Sequence, residues 1–249
     1  MGQIPFATIE QTGLAPICVK YRLRLGLIMA YKFLDIARTP GVKAAEARNG
    51  SAEFFENFKG HRDFDRLTEN EREFIAARDS FYMATVSESG WPYIQHRGGP
   101  PGFLKILDDK TLGFADFRGN LQYISLGNVA TNNRASLFLM DYPNRQRLKM
   151  FVHTEERSLK DDPKLAEALA LPGYKAKIER AFIFHLVAFD WNCPQHITPR
   201  FTEAELKPVF DNVQTELEAL RAENARLTAV LNRARGGRPG SSVASGVGR

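Results

Sequence analysis

The sequence predicts a mainly β fold with flanking helices, an α+β antiparallel barrel followed by a C-terminal coiled-coil-like helix. Three observations carry this. Between Ser80 and Trp191 the β-rich runs are short, and most are separated only by turns, which suits hairpins better than the crossover helices of a doubly wound sheet. The run Ala181–Trp191 is apolar on both faces, as a strand buried on two sides must be. Beyond Phe210, apolar residues recur at spacings of three and four, a sustained helical pattern.

The chain has 249 residues, 43% hydrophobic and 25% charged. That is room for one good-sized domain with appendages, and it is too apolar for a disordered chain. No uncharged apolar stretch reaches the ~18 residues of a membrane span. The two cysteines, Cys18 and Cys193, cannot form a disulfide framework, and no Cys/His cluster has zinc spacing. A reducing cytoplasm is the expected setting. The net charge of +5 is concentrated at the ends, with six Arg against one Glu in residues 221–249, while residues 29–220 are slightly acidic. A basic tail can hold polyanions, but the body gives no charge reason to bind nucleic acid, which is not an expected partner.

Residues 1–28 lack a capped periodic helix, and Lys20, Arg22 and Arg24 precede their apolar stretch. Neither the uninterrupted core nor the cleavage site of a secretory signal is clear. Residues 1–38 are read as an N-terminal extension, poorly ordered at least to residue 28, with Met29 as a natural start. Thr39-Pro40-Gly41 turns into a short helix from Lys43 to Arg48. Thr68 and Glu71 form a capping box for a helix that carries Phe74 and Ile75 and stops near Asp79. Strands are then expected over 80–87, 92–95, 103–107, 111–116, 135–141, 147–153 and 181–191. A helix is expected from Asp162-Pro163 to about Ala170, with Pro in the first turn where it is tolerated. Another short helical stretch follows Pro172-Gly173.

Thr202 and Glu205 form a second capping box, and Pro208 kinks or restarts the helix that follows. With Phe210 at heptad position a, Asn224 also falls at a, where a buried amide fixes register and favours two parallel strands. Glu216 at g stands five residues before Arg221 at e, an attractive interchain spacing. A single amphipathic helix packed on its own domain fits the same pattern, and the coiled coil over 202–235 is preferred. From residue 236 the Gly/Ser-rich basic tail is expected to be disordered.

The chemistry concentrates between Trp91 and Arg147. Gln95-His96-Arg97 leads into Gly98-Gly-Pro-Pro-Gly102, and Lys105 follows. Then 113–120, Gly-Phe-Ala-Asp-Phe-Arg-Gly-Asn, leaves a strand and enters a helix, whose N-terminus beside Arg118 suits a phosphate. Asn144-Arg-Gln-Arg147 opens the next strand. These are the parts needed to hold a phosphorylated planar cofactor.

Here the sequence resembles the pyridoxamine 5′-phosphate oxidase-like family of Greek-key split barrels that bind flavin mononucleotide (FMN), over roughly residues 68–200. The resemblance implies an FMN-binding domain over 39–201 and a homodimer with flavin between two subunits. It carries flavin contacts onto Arg97 with Gln95 and His96, onto Lys105, and onto Arg118, Gly119 and Asn120 for the phosphate. Arg145 and Gln146 match the family's Arg-Gln pair, Ala115 and Asp116 lie along ring and ribityl chain through their backbone, and Trp191 opens the last segment. The Arg97–Lys105 spacing is longer than the oxidase pattern, Asn120 replaces a Lys, and the C-terminal Arg-Leu substrate signature is missing. Flavin binding therefore carries over better than the named oxidase activity.

His185 and Cys193 are read as structural. Gln195 and His196 are the candidate catalytic residues, because loop residues on a rigid scaffold often reach a pocket. The expectation is an FMN-dependent oxidoreductase with a small-molecule substrate. The alternative is a non-catalytic sensor or carrier that binds flavin, haem or a deazaflavin.

Overall fold

β-branched and aromatic residues pair wherever their alternation lets one face bury. In the computed structural model, which describes residues 31–57, 64–191 and 194–236, these runs form one seven-stranded sheet, every pair antiparallel. The strands are β1 (Ser80–Val86), β2 (Pro92–Gly98), β3 (Lys105–Ile106), β4 (Thr111–Phe117), β5 (Arg134–Asp141), β6 (Gln146–Arg157) and β7 (Ile178–Trp191), in the order β2-β1-β5-β6-β7-β4-β3. The expected mainly β architecture with flanking helices is the one observed.

The sheet curls around a cluster of phenyl rings. Phe81 on β1 meets Phe114 on β4 edge-on at 5.5 Å between centroids, and Phe184 on β7 at 6.1 Å, although β1 neighbours neither strand in the sheet. Phe103 and Phe182 complete the cluster, and all five rings are essentially excluded from water. Burial of such side chains contributes roughly 1.5–3 kcal/mol each. The curl also carries edge strand β2 across to β4, where side chains rather than backbone make the join.

Seven helices complete the description. α1 (Tyr31–Ala37) stacks Phe33 on Phe151 of β6 at 4.3 Å. α2 (Pro40–Arg48) and α3 (Ala52–Glu56) follow, with Glu46 held by Arg38 at 2.7 Å. α4 (Glu69–Ala76) buries Phe74 and Ile75, and Glu71 reaches back to the Thr68 N–H at 3.0 Å. α5 is Ile124–Thr131 and α6 is Pro163–Ala168, capped where the Asp162 carboxylate accepts from the Leu165 N–H at 3.0 Å. The chain divides at Pro199 into two compact units, and the second holds α7 (Glu203–Gly236). No described helix is long and apolar enough to cross a membrane.

Several elements differ from expectation. β3 keeps only two paired residues, because Phe103 and Leu104 turn into the core. No helix follows Gly173, whose φ of 81° makes a turn before β7. α7 runs unbroken through Pro208, which lies near the helix start and removes a single backbone donor. The expectations for residues 1–30, for Cys18 and Cys193, and for the tail beyond residue 236 lie outside the described residues.

Candidate functional site

Strand alternation builds the first wall. Along β2, Tyr93, Gln95 and Arg97 are half-buried while Ile94 and His96 are exposed, so one face of an edge strand looks inward. β4 delivers Asp116 and Phe117 at its end, β7 delivers Glu179 at its beginning, and the segment 119–126 closes the third side. Together they line an open cleft of about 410 Å3, its mouth included.

α5 is fixed by two hydrogen bonds. Asn128 Nδ2 donates to Thr85 Oγ1 at 2.9 Å in the interior, and Ser125 Oγ donates to Gln95 Oε1 at 2.9 Å on the cleft wall. The expected helix start beside Asn120 moves to Ile124, because Leu121 (φ 64°) and Tyr123 (φ 52°) take left-handed backbone. Asn120 braces this loop, its Oδ1 accepting from the Gln122 N–H at 3.2 Å and its Nδ2 donating to Gln122 Oε1 at 3.0 Å. A Cβ placed on Gly119 would meet nothing within 4 Å, so the loop has free space beside it.

The electrostatic centre is a carboxylate between two guanidiniums. Arg97 Nη1 donates to Asp116 Oδ1 at 2.8 Å, and Arg180 Nη1 stands 3.7 Å from Asp116 Oδ2. The Arg97 guanidinium also lies over the Phe114 and Phe182 rings, at 5.7 and 5.4 Å. Burial pushes the Asp116 carboxyl above the usual carboxylate range despite both cations, and it pulls Arg97 below its ordinary value. Such a pair is costly to desolvate and costlier to break. Arg97 Nε and Arg180 Nη1 are buried without a hydrogen-bond partner. Arg180 also pairs with Glu156 at 3.2 Å and lies over Tyr123 at 5.0 Å. Glu179 collects Arg118 at 3.5 Å, Arg180 at 3.6 Å and the Tyr123 hydroxyl at 3.3 Å.

Of the residues singled out in the sequence, Gln95, Arg97, Asp116, Gly119 and Asn120 come together on this cleft. Arg118 joins them through Glu179, and Ala115 is buried in β4 opposite Ala181. The others lie elsewhere. His96 takes the opposite face of β2 and meets Tyr82 edge-on at 5.6 Å, as a period of two requires. Lys105 sits on β3 opposite Gly113, outside the cleft lining. Arg145, exposed with φ 53°, lies in the β5–β6 turn, and Gln146 opens β6 opposite Asp141, which is tied to Arg78 at 2.9 Å. Trp191 packs its ring on Phe74 at 4.7 Å, and its Nε1 donates to Glu71 at 2.8 Å. Gln195 and His196 form an exposed turn.

Sequence reading missed Tyr93, Tyr123, Ser125, Glu179 and Arg180. Tyr93 was available from the alternation that selected Gln95 and Arg97. Arg180 was not, because its meeting with Asp116 depends on the β4–β7 register, a pairing between distant segments.

The family described as pyridoxamine 5′-phosphate oxidase matches residues 67–183. No curated protein matches the sequence. Among solved structures, HupZ of Group A Streptococcus is 16% identical with a TM-score of 0.40, the match covering 54% of this chain and 99% of that one. A protein described as a putative pyridoxamine 5′-phosphate oxidase from Lactobacillus delbrueckii is 20% identical, TM-score 0.39, covering 53% and 97%. An FMN-binding protein from Syntrophomonas wolfei is 16% identical, TM-score 0.38, covering 60% and 97%.

Proposed function

Because residues 67–183 make the chain a member of the pyridoxamine 5′-phosphate oxidase-like family, we propose that it is an FMN-dependent oxidoreductase, acting as a homodimer on a small substrate. The observation that carries this reading is the convergence on one cleft of Gln95 from edge strand β2 with Asp116, Gly119 and Asn120 from the end of β4 and the loop after it, strands that are not neighbours in the sheet. The residues present fit such a cofactor. Arg118 is 46% exposed and only loosely held at 3.5 Å from Glu179, the loop beside Gly119 has space, and Arg180 Nη1 lacks a hydrogen-bond partner.

Arg118 and the 119–120 backbone would take the phosphate, and Gln95 with Ser125 would orient polar edges of the ligand. Arg97 and Asp116 act as a fixed, desolvated dipole under the cleft floor. Bound flavin supplies hydride chemistry at its ring, while the protein positions it and tunes its charge. Lys105, Arg145, Gln146, Gln195 and His196, outside the cleft of their own chain, would be offered across the dimer to complete it. His196 and Gln195 remain the candidates for groups beside the reacting ring.

A specific observation favours the second reading, a flavin-binding carrier without turnover: Asp116 and Glu179, the acids of the cleft, are both engaged by arginines. The ligand released from purified protein tests the cofactor, with FMN expected by mass and colour; haem or a deazaflavin would overturn that assignment. Arg118→Ala is expected to weaken FMN about 10–100-fold, the loss of a charge-assisted hydrogen bond of ~1.5–3 kcal/mol. Repeated reduction and reoxidation of bound flavin at enzymatic rates separates oxidoreductase from carrier.

A further inference from the structure

The second compact unit presents a surface that the flavin reading does not use. Along α7, Phe210, Val213, Leu217, Leu220, Leu227 and Leu231 are 44–63% exposed, an apolar stripe that a solitary helix in water cannot bury. The stripe keeps a seven-residue period. With Phe210 at position a, Leu217, Asn224 and Leu231 repeat it, while Val213, Leu220, Leu227 and Ala234 occupy d. We propose that this stripe is the seam of a parallel, in-register, two-stranded coiled coil formed with α7 of a second copy of the chain.

Charge selects the occupant and its direction. Position g carries Glu216, Glu223 and Val230, and position e carries Gln214, Arg221, Thr228 and Arg235, so the charges are acidic at g and basic at e. In a parallel pair g faces e of the following heptad, so Glu216 meets Arg221 of the second copy, twice per dimer. In an antiparallel pair g faces g and e faces e, setting Glu against Glu and Arg against Arg. Among the described residues Glu216 and Arg221 form no ion pair, whereas Glu223 is already taken by Arg226 at 2.6 Å.

Asn224 selects the register. Its amide at a meets its own twin in register, and slipping by one heptad would bury it against leucine, unsatisfied. Pro208 falls at f, on the outer surface of the supercoil, where its ring does not disturb the seam. The inference is independent of the cofactor.

Disulfide trapping in the full-length chain is the test. Leu220→Cys at d is expected to link to its twin under mild oxidation, and Ala222→Cys at f is not; peptide mapping separates these links from Cys18 and Cys193. Both positions are exposed, so folding is not at stake. In the Leu220→Cys background, Glu216→Lys should slow linking roughly tenfold, as two attractive contacts become repulsive. Adding Arg221→Glu should restore the rate. No 220–220 link, equal linking at 220 and 222, or no rescue by the second charge change overturns the proposal. Each of these outcomes leaves the flavin reading untouched, because none reads the cofactor.

Discussion

At the scale of single residues, Asp116 is the group on which the cleft depends. It neutralises Arg97 at 2.8 Å, and both side chains are largely shielded from solvent. Asp116→Asn takes from the buried Arg97 guanidinium the carboxylate it pairs with, so we expect a loss of about 3–5 kcal/mol, read as a lower urea midpoint with an unchanged slope. Glu179 has the opposite role. It ties Arg118 and Arg180 and holds a negative charge beside the loop proposed for the phosphate. Glu179→Gln is expected to tighten FMN roughly fivefold by flavin fluorescence quenching, the worth of one partly exposed charge contact; weaker binding would place the phosphate elsewhere. Position on the cleft was legible where one strand or loop carried it, as for Gln95, Arg97 and Asn120. It was not for His96, which stands next to two cleft residues in sequence and faces away from them.

At the scale of elements, starts and stops were read from local chemistry and were found where that chemistry acts locally. Glu71 reaching back to Thr68, Asp162 capping Leu165, and Thr202 with Glu205 all occur. The start of α5 was placed early because its loop takes left-handed backbone at Leu121 and Tyr123, non-glycine positions that no residue-type rule marks. α5 depends instead on a tertiary bond, Asn128 to Thr85. Asn128→Ala strands the buried Thr85 hydroxyl and should cost ~1–3 kcal/mol. Because α5 also carries Ser125 to Gln95, the same variant should weaken FMN more than stability alone accounts for, measured by titration at a temperature where it remains folded.

At the scale of the whole molecule, distant segments are tied by a few charged contacts. Asp65 receives Lys110 at 2.8 Å and Lys32 at 3.2 Å, and these ammoniums, Lys110 first, hold its carboxyl below the ordinary 3.8. A depressed carboxyl contributes stability in full above its unfolded value and loses it as pH falls through the folded one. The melting-temperature difference between the native chain and Asp65→Asn should therefore be constant at neutral pH and shrink below pH 3.8. The antiparallel class was legible because hairpins are local. The cleft was not, because its walls are joined by the curl of the sheet. The strand order has one more consequence, for the chain as it is made. Beyond its short pairing with β3, β4 finds its long partner only in β7, with Thr111 opposite His185, about 70 residues later. At ribosomal speeds of about 5–20 residues per second, β4 and the short β3 wait roughly 4–15 s for the strand that will cover Phe114. During that interval the nascent chain exposes an unpaired apolar edge, and chaperone occupancy on stalled chains is expected to peak before β7 emerges from the ribosome.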